Sequence, residues 1–198
     1  MLASTLALAA VVTMLIPVQA QTSEQSRSGH VESTWLLAYR GKSTNEVRWD
    51  ERLPKLLRSG LPHIRAPFYD RDKPLAEVAL VALSGPPEPV SIESSRYVTL
   101  AACVPHVGEE KGLLWVDTGA PEPEMIFAYM DQSPPPASEA SLALFTASDQ
   151  LASKLPPQFV SSLTGWLTLE GIKTITGFTM TNAEGKTSKL PLTLLGLH

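Results

Sequence analysis

Apolar residues recur with a helical period in the first part of the chain and with a strand-like pattern after about residue 90. The helical period predicts one core-facing helix with four apolar positions: Trp49, Leu53, Leu56 and Leu57. Thr44 is its predicted N-cap and Gly60 its end, while Pro54 predicts a kink or a late start. Residues 63–89 have no clear period, although 78–83 form a short apolar run.

The second part of the chain predicts a sheet. Strand patterns occupy residues 97–102, 112–116, 125–130 and 142–146, and further apolar segments follow at 166–169, 173–180 and 188–195. Ser148 caps a predicted short helix that ends at Pro156, and residues 182–185 are a turn signal. Because most connections are short, an antiparallel sheet is favoured. The predicted fold class is therefore α+β, with a few short helices flanking an antiparallel sheet.

The first twenty residues carry no charged side chain and end in the small-residue pattern Val18-Gln19-Ala20. This pattern is typical of a secretory signal peptide, residues 1–20, cleaved near Ala20. The apolar stretch is too short for a membrane span, so we expect none in the mature chain. Residues 21–33 are predicted to be a mobile N-terminal segment, followed by a single domain over residues 34–198.

Composition excludes several classes of protein. The 198 residues are 43% hydrophobic and 18% charged, with a formal net charge of −4, which argues against a disordered chain and a basic nucleic-acid binder. The single cysteine excludes an intramolecular disulfide framework and a multi-cysteine zinc site. The 17 prolines favour short strands and loops over a helical bundle.

Catalytic motifs are missing from the sequence. It has no nucleophile elbow, phosphate loop or dinucleotide fingerprint, and its four histidines lie in separate segments. The carboxylates at 109–110 and 122–124 are interpreted as solvated charges in turns. We therefore expect no enzymatic activity, no cofactor and no metal.

The connection between two predicted strands, residues 103–111, contains Pro105-His106. Proline fixes its own φ and biases Val104 toward extended geometry, so the turn would hold His106 in one place. Two interpretations remain open on local sequence alone. His106 is either a surface histidine of no consequence or a recognition residue presented by a firm scaffold.

The segment Cys103-Val104-Pro105-His106-Val107-Gly108 resembles the signature of the Ivy family, exported bacterial inhibitors of vertebrate-type (c-type) lysozyme. That signature is a Cys-x-Pro-His-x-Cys loop after a strand. The likeness extends over residues 36–167, including Arg40-Gly41 near its start, Trp115 in the middle and Leu163-Thr164-Gly165 near its end. Residues 63–87 form a longer proline-rich insert, and residues 168–198 extend beyond the family as a predicted C-terminal hairpin.

The resemblance implies a periplasmic protein whose loop enters the lysozyme cleft and places His106 between the two catalytic carboxyl groups. Pro105 would position the ring, and Cys103, Val104, Val107 and Gly108 would complete the lysozyme-binding loop. Homodimers occur in the family, so a homodimer is also implied. Gly108 replaces the second cysteine of the signature, which leaves Cys103 unpaired, and Val107 replaces a polar or acidic residue. These departures favour an alternative: an envelope protein of the same fold that binds another peptidoglycan-cleaving enzyme or a structural partner.

Overall fold

In the computed structural model, residues 32–68, 71–122, 124–134 and 136–196 are described. The predicted signal peptide, residues 1–20, lies outside the described residues, as does nearly all of the segment 21–33. Of that segment, Ser33 is buried at the start of a 3₁₀ helix, Thr34–Tyr39. The α+β fold class is confirmed: helices flank a mostly antiparallel sheet.

The sheet has seven strands that lie side by side in their order along the chain. Their bounds are β3 Ser91–Glu93, β4 Tyr97–Val104, β5 Val107–Asp117, β6 Glu124–Gln132, β7 Glu139–Phe145, β8 Thr174–Thr181 and β9 Thr187–Lys189. The two strands β1 Arg65–Phe68 and β2 Arg71–Pro74 form a separate antiparallel hairpin. Alternate residues of the long strands enter two different hydrophobic cores, one on each face of the sheet.

One pair of neighbouring strands departs from the antiparallel prediction. β7 and β8 are parallel, and the chain returns between them through α4, Asp149–Ser153, and α5, Pro157–Leu169. Parallel neighbours need such a long crossover because the chain must travel back along the sheet. These two helices cover one face of the sheet. The hydrophobic cluster between them and the sheet, which we call the C-terminal core, contains Trp115, Phe159 and Leu163.

The apolar segment 166–169, to which the sequence assigns no structure, is helical. It is the last turn of α5, whose buried residues Phe159, Leu163, Trp166 and Leu167 have helical spacing. The helix begins at Pro157, in the first helical position, where proline has no hydrogen bond to lose. The predicted cap Ser148 is confirmed for α4, since its hydroxyl accepts a hydrogen bond from the Leu151 amide.

The opposite face carries the N-terminal core. It is covered by α1 Thr44–Arg48, α2 Arg52–Gly60, α3 Leu75–Ala82, the first 3₁₀ helix and the β1–β2 hairpin. Helix α3 contains most of the apolar run at 78–83, which had no assigned structure. It packs so closely on β5 that a Cβ on Gly112 would lie only 2.8 Å from the Cβ of Ala82.

Two details of the predicted N-terminal helix are wrong. The cap is Ser43, which forms a capping box with Glu46, while Thr44 is buried and donates its hydroxyl to the Glu88 carbonyl. Trp49 is 81% exposed rather than in the core. The helix ends at Arg48 and a second helix begins at Arg52, so Trp49 falls in the intervening turn, outside the helical register.

The predicted C-terminal hairpin forms β8 and β9, which extend the sheet beyond β7. Its second strand is shorter than expected. After Lys189 the chain passes Pro191 and turns into a 3₁₀ helix, Leu192–Leu195, whose Leu195 enters the C-terminal core. Among the residues that the structure describes, no helix combines the length and the apolar character that crossing a membrane requires.

Candidate functional site: the His106 turn

The connection between β4 and β5 is a tight turn of only two residues, Pro105 and His106. His106 is exposed and has a φ of +63°, in the left-handed region that few residues other than glycine adopt. Proline followed by a residue of positive φ is the sequence typical of a type II turn. The sequence had predicted a connection over 103–111, so the strands reach further toward the turn than expected.

The turn is anchored to the N-terminal core by the valines on its two sides. Val104 and Val107 are paired across the hairpin, Val104 is 1% exposed, and Val107 packs against the same core. Val104 therefore offers a partner no surface, and its side chain fixes the position of Pro105. The geometry separates residues that hold the turn from the imidazole that the turn presents.

The outer edge of β4 is held by residues 85–88. The amide of Gly85 donates to the Cys103 carbonyl at 2.8 Å, and the amide of Glu88 donates to the Ala101 carbonyl at 2.9 Å. Only glycine fits at position 85, because a Cβ there would lie 2.3 Å from the Cys103 carbonyl oxygen. The base of the hairpin thus has neighbours on both edges, β5 on one side and this segment on the other.

Cys103 lies at the base of the hairpin, on the face opposite to Val104. It is half-buried and unpaired, and burial raises the pKa of its thiol despite the opposing effect of Lys111, its cross-strand partner. Lys111 is itself bonded to Glu170 at the end of α5, with 2.6 Å between Nζ and Oε2 and less than a fifth of either side chain exposed. This ion pair ties the C-terminal layer to the hairpin.

Beyond the turn, β5 carries residues 108–110 as an irregularity with no partner on β4. Gly108 is exposed, does not have a positive φ, and has no atom within 4 Å of the position a Cβ would take. A side chain is therefore tolerated where the Ivy signature has its second cysteine. Glu110 accepts a hydrogen bond from the Tyr129 hydroxyl and is paired in register with Asp131, which places acidic groups near the turn.

The structure thus places the six residues predicted as a binding loop at one hairpin end, but only two of them, His106 and Gly108, are classed as exposed. Sequence reasoning missed Gly85, Lys111 and Glu170. Gly85 precedes two prolines, so its surroundings read as an ordinary loop. Lys111 and Glu170 are far apart in the sequence, and no local pattern indicates that they form an ion pair.

Chemistry at the site is limited to one imidazole and nearby carboxylates. Within the described ranges, no group of three or more His, Cys, Asp or Glu side chains is arranged to hold a metal ion. His30 and His198 lie outside those ranges, and His63 is on the N-terminal layer, where a ring nitrogen contacts the Arg58 carbonyl at 2.7 Å. The arrangement is an exposed imidazole at the tip of a hairpin.

Comparisons of the chain with family models, with curated proteins and with solved structures found no match.

Proposed function

We propose that this protein is an exported, periplasmic inhibitor of c-type lysozyme that inserts the His106 turn into the active-site cleft. The observation that carries the proposal is a solvent-exposed imidazole with positive φ on a turn whose flanking valines, Val104 and Val107, pack into the N-terminal core. Backbone strain at an exposed residue is typical of functional sites, because packing elsewhere must maintain it. The resemblance of residues 103–107 to the Ivy signature supplies the target.

An imidazole suits the space between two catalytic carboxyl groups. In glycosidases that retain configuration, those groups are about 5–5.5 Å apart. A protonated ring donates a hydrogen bond from each of its two nitrogens, one toward each carboxylate. Because the ring then occupies the place of the reacting sugar, substrate is excluded. Pro105 and Val104 would keep the ring in this orientation and so reduce the entropy lost on binding.

Charge also favours a basic target. The chain has a formal net charge of −4, and Glu109, Glu110 and Asp131 lie close to the turn in sequence or in register. Opposite charge on two partners speeds their encounter more than it tightens the final complex. Lysozymes of the c-type are strongly basic, so salt is expected to slow association.

The decisive test is inhibition of a c-type lysozyme by residues 21–198 and by the His106→Ala variant. We expect the parent to inhibit, and the variant to inhibit less well by at least about tenfold, equivalent to about 1.4 kcal/mol. His63→Ala is the matched control, because it removes an exposed histidine from another part of the molecule. A folded parent that leaves lysozyme fully active would overturn the proposal.

Inhibition should weaken as the pH rises. A charged ring donates to both carboxylates, whereas in a neutral ring one nitrogen is an acceptor that faces a carboxylate. Since lysozyme itself has titrating groups, the quantity to compare is the ratio of inhibition constants of parent and His106→Gln at each pH. A ratio that stays constant from acidic to mildly alkaline pH would exclude this charge pairing.

A second candidate is favoured by the residues that differ from the signature. Gly108 cannot form the second half of a disulfide, and Val107 packs against the core where a polar group would face a partner. The same turn would then enter another peptidoglycan-cleaving enzyme or bind a structural envelope protein. Inhibition assays on bacterial muramidases with the parent and His106→Ala distinguish the targets, because only the true target is inhibited by the parent and much less by the variant.

A further inference from the structure

The N-terminal layer contains an apolar cavity that the His106 turn does not use. It has a volume of about 400 Å³ and lies between the end of α2, the β1–β2 hairpin and the start of α3. Its apolar walls include Leu57, Leu61, Ile64 and Leu75. This volume is within the lower part of the range for small-molecule sites, roughly 300–1,000 Å³. An apolar site of this size suits one hydrocarbon chain rather than a folded segment of protein.

The polar groups of this cavity are basic. Arg58, His63 and Arg65 contribute to its lining and are all exposed. The Arg65 guanidinium donates to the Asp72 carbonyl, and His63 contacts the Arg58 carbonyl, so both side chains have a fixed position. Of the described residues that line the cavity, none is acidic; the carboxylates of Asp72 and Glu77 belong to neighbouring residues outside the lining.

The start of α3 adds to the positive field. Leu75 and Ala76 are the first residues of this helix and form part of the cavity wall. Pro74 occupies the N-cap position, the Leu75 amide donates to the Ile64 carbonyl at 3.0 Å, and Glu77 lies in the first turn. The N-terminal end of a helix carries partial positive charge, which favours an anion nearby. The Glu77 carboxylate offsets part of this field, so the attraction for an anion comes chiefly from the two arginines, Arg58 and Arg65.

From this combination of apolar walls and basic lining, we infer that the cavity binds a free fatty acid. The hydrocarbon chain packs against Leu57, Leu61 and Leu75, and the carboxylate pairs with Arg58 and Arg65. Guanidinium groups match a carboxylate in geometry and charge, and the apolar chain is removed from water. The site uses no residue of the His106 turn, so it is independent of the proposed inhibition.

The test uses the 21–198 chain and decanoate below its micelle concentration, measured by calorimetry. We expect saturable binding of one decanoate per chain. Decanol and decyltrimethylammonium, which share the chain but lack the anion, should bind more weakly. The double variant Arg58→Gln/Arg65→Gln should weaken decanoate by at least about tenfold, because it removes two charge-assisted bonds. Arg71→Gln is the matched control, an exposed arginine of the same hairpin outside the cavity lining.

A second variant tests the cavity itself. Ala76→Trp fills part of the volume and leaves both arginines in place, so decanoate binding should be lost while the unfolding midpoint stays close to the parent value. His106→Ala should bind decanoate like the parent. The inference is overturned if decanoate does not bind the folded parent, if all three amphiphiles bind equally, or if the double variant binds as tightly as Arg71→Gln.

Discussion

The hairpins β4–β5 and β8–β9 both reverse the chain in a tight turn, yet different contacts stabilise the two turns. In β8–β9 the residue with positive φ is Gly185, at +77°, and the Asn182 side chain accepts hydrogen bonds from the amides of Glu184 and Lys186. The hydrogen bonds that stabilise this turn are therefore made by its own residues. In β4–β5 the residue with positive φ is His106, and the support comes from Val104 and Val107 in the adjoining strands, which pack into the N-terminal core.

The two turns differ in the steric cost of their residue with positive φ. Glycine fits a left-handed turn because it has no Cβ to clash with the backbone. Asparagine fits because its side chain forms local hydrogen bonds that offset the steric penalty. A histidine at the same kind of position costs roughly 1 kcal/mol or more. The fold accepts that cost at the His106 turn, as it does at Ser94 and Ser95 between β3 and β4, and avoids it at the Gly185 turn.

The largest expected effect is on the packing that holds the His106 turn. Val104→Ala removes buried methyl groups from the N-terminal core and is expected to lower the free energy of unfolding by about 2 kcal/mol. Inhibition should weaken as well, because the turn loses its anchor. Denaturant titration measures the first effect. Lys186→Ala, an exposed residue of the other hairpin, is the control and should change stability by less than about 0.5 kcal/mol.

A second variant separates stability from function at the turn itself. His106→Gly retains the positive φ without a side-chain penalty, and is expected to raise the free energy of unfolding by about 0.5–1 kcal/mol. The same variant should lose inhibition by at least about tenfold, since the ring is gone. A glycine variant that is less stable than the parent would show that the histidine is not strained.

Much of the fold follows from the sequence because the sheet obeys local rules. The strands at 97–102, 112–116, 125–130 and 142–146 are confirmed. Burial alternates along β7, whereas β5 and β6 contain continuous buried runs because both faces of the sheet are covered. The parallel pairing of β7 with β8 could not be predicted. It depends on α5 crossing the sheet, and the final turn of α5 has a composition that also suits a strand.

The site was predicted in part. Pro105 and His106 mark a turn by their own chemistry, so the position of the exposed ring was accessible from sequence. The burial of Val104, the close approach of Gly85 and the Lys111–Glu170 ion pair depend on contacts between distant segments. Sequence indicates the residue that is presented, whereas the residues that hold it become visible only in the folded chain.

A smaller effect is expected in the other hairpin. Asn182→Ala removes two side-chain hydrogen bonds to the backbone and should lower the free energy of unfolding by about 1 kcal/mol. Inhibition of lysozyme should not change, because this turn is not part of the proposed binding surface. A matched loss of inhibition would show that the two turns are coupled and that their comparison is incomplete.

The smallest expected effect comes from restoring the cysteine of the signature. Gly108→Cys introduces a side chain into open space, and oxidation would join it to Cys103. Because a short disulfide loop mainly limits the motion of the free turn, inhibition should improve by about threefold. Gly108→Ser is the control for the added side chain. Equal inhibition by oxidised and reduced protein would mean that the valines already make the turn rigid.

The parallel pairing of β7 and β8 sets the order in which the molecule can be completed. Until residues 174–181 pair with it, β7 has β6 on one edge only, and the peptide groups of its other edge remain available to another strand. Such an edge attracts intermolecular pairing. A chain in which β8 has not yet paired is therefore prone to intermolecular strand pairing along β7. Pairing of the β8–β9 hairpin covers that edge.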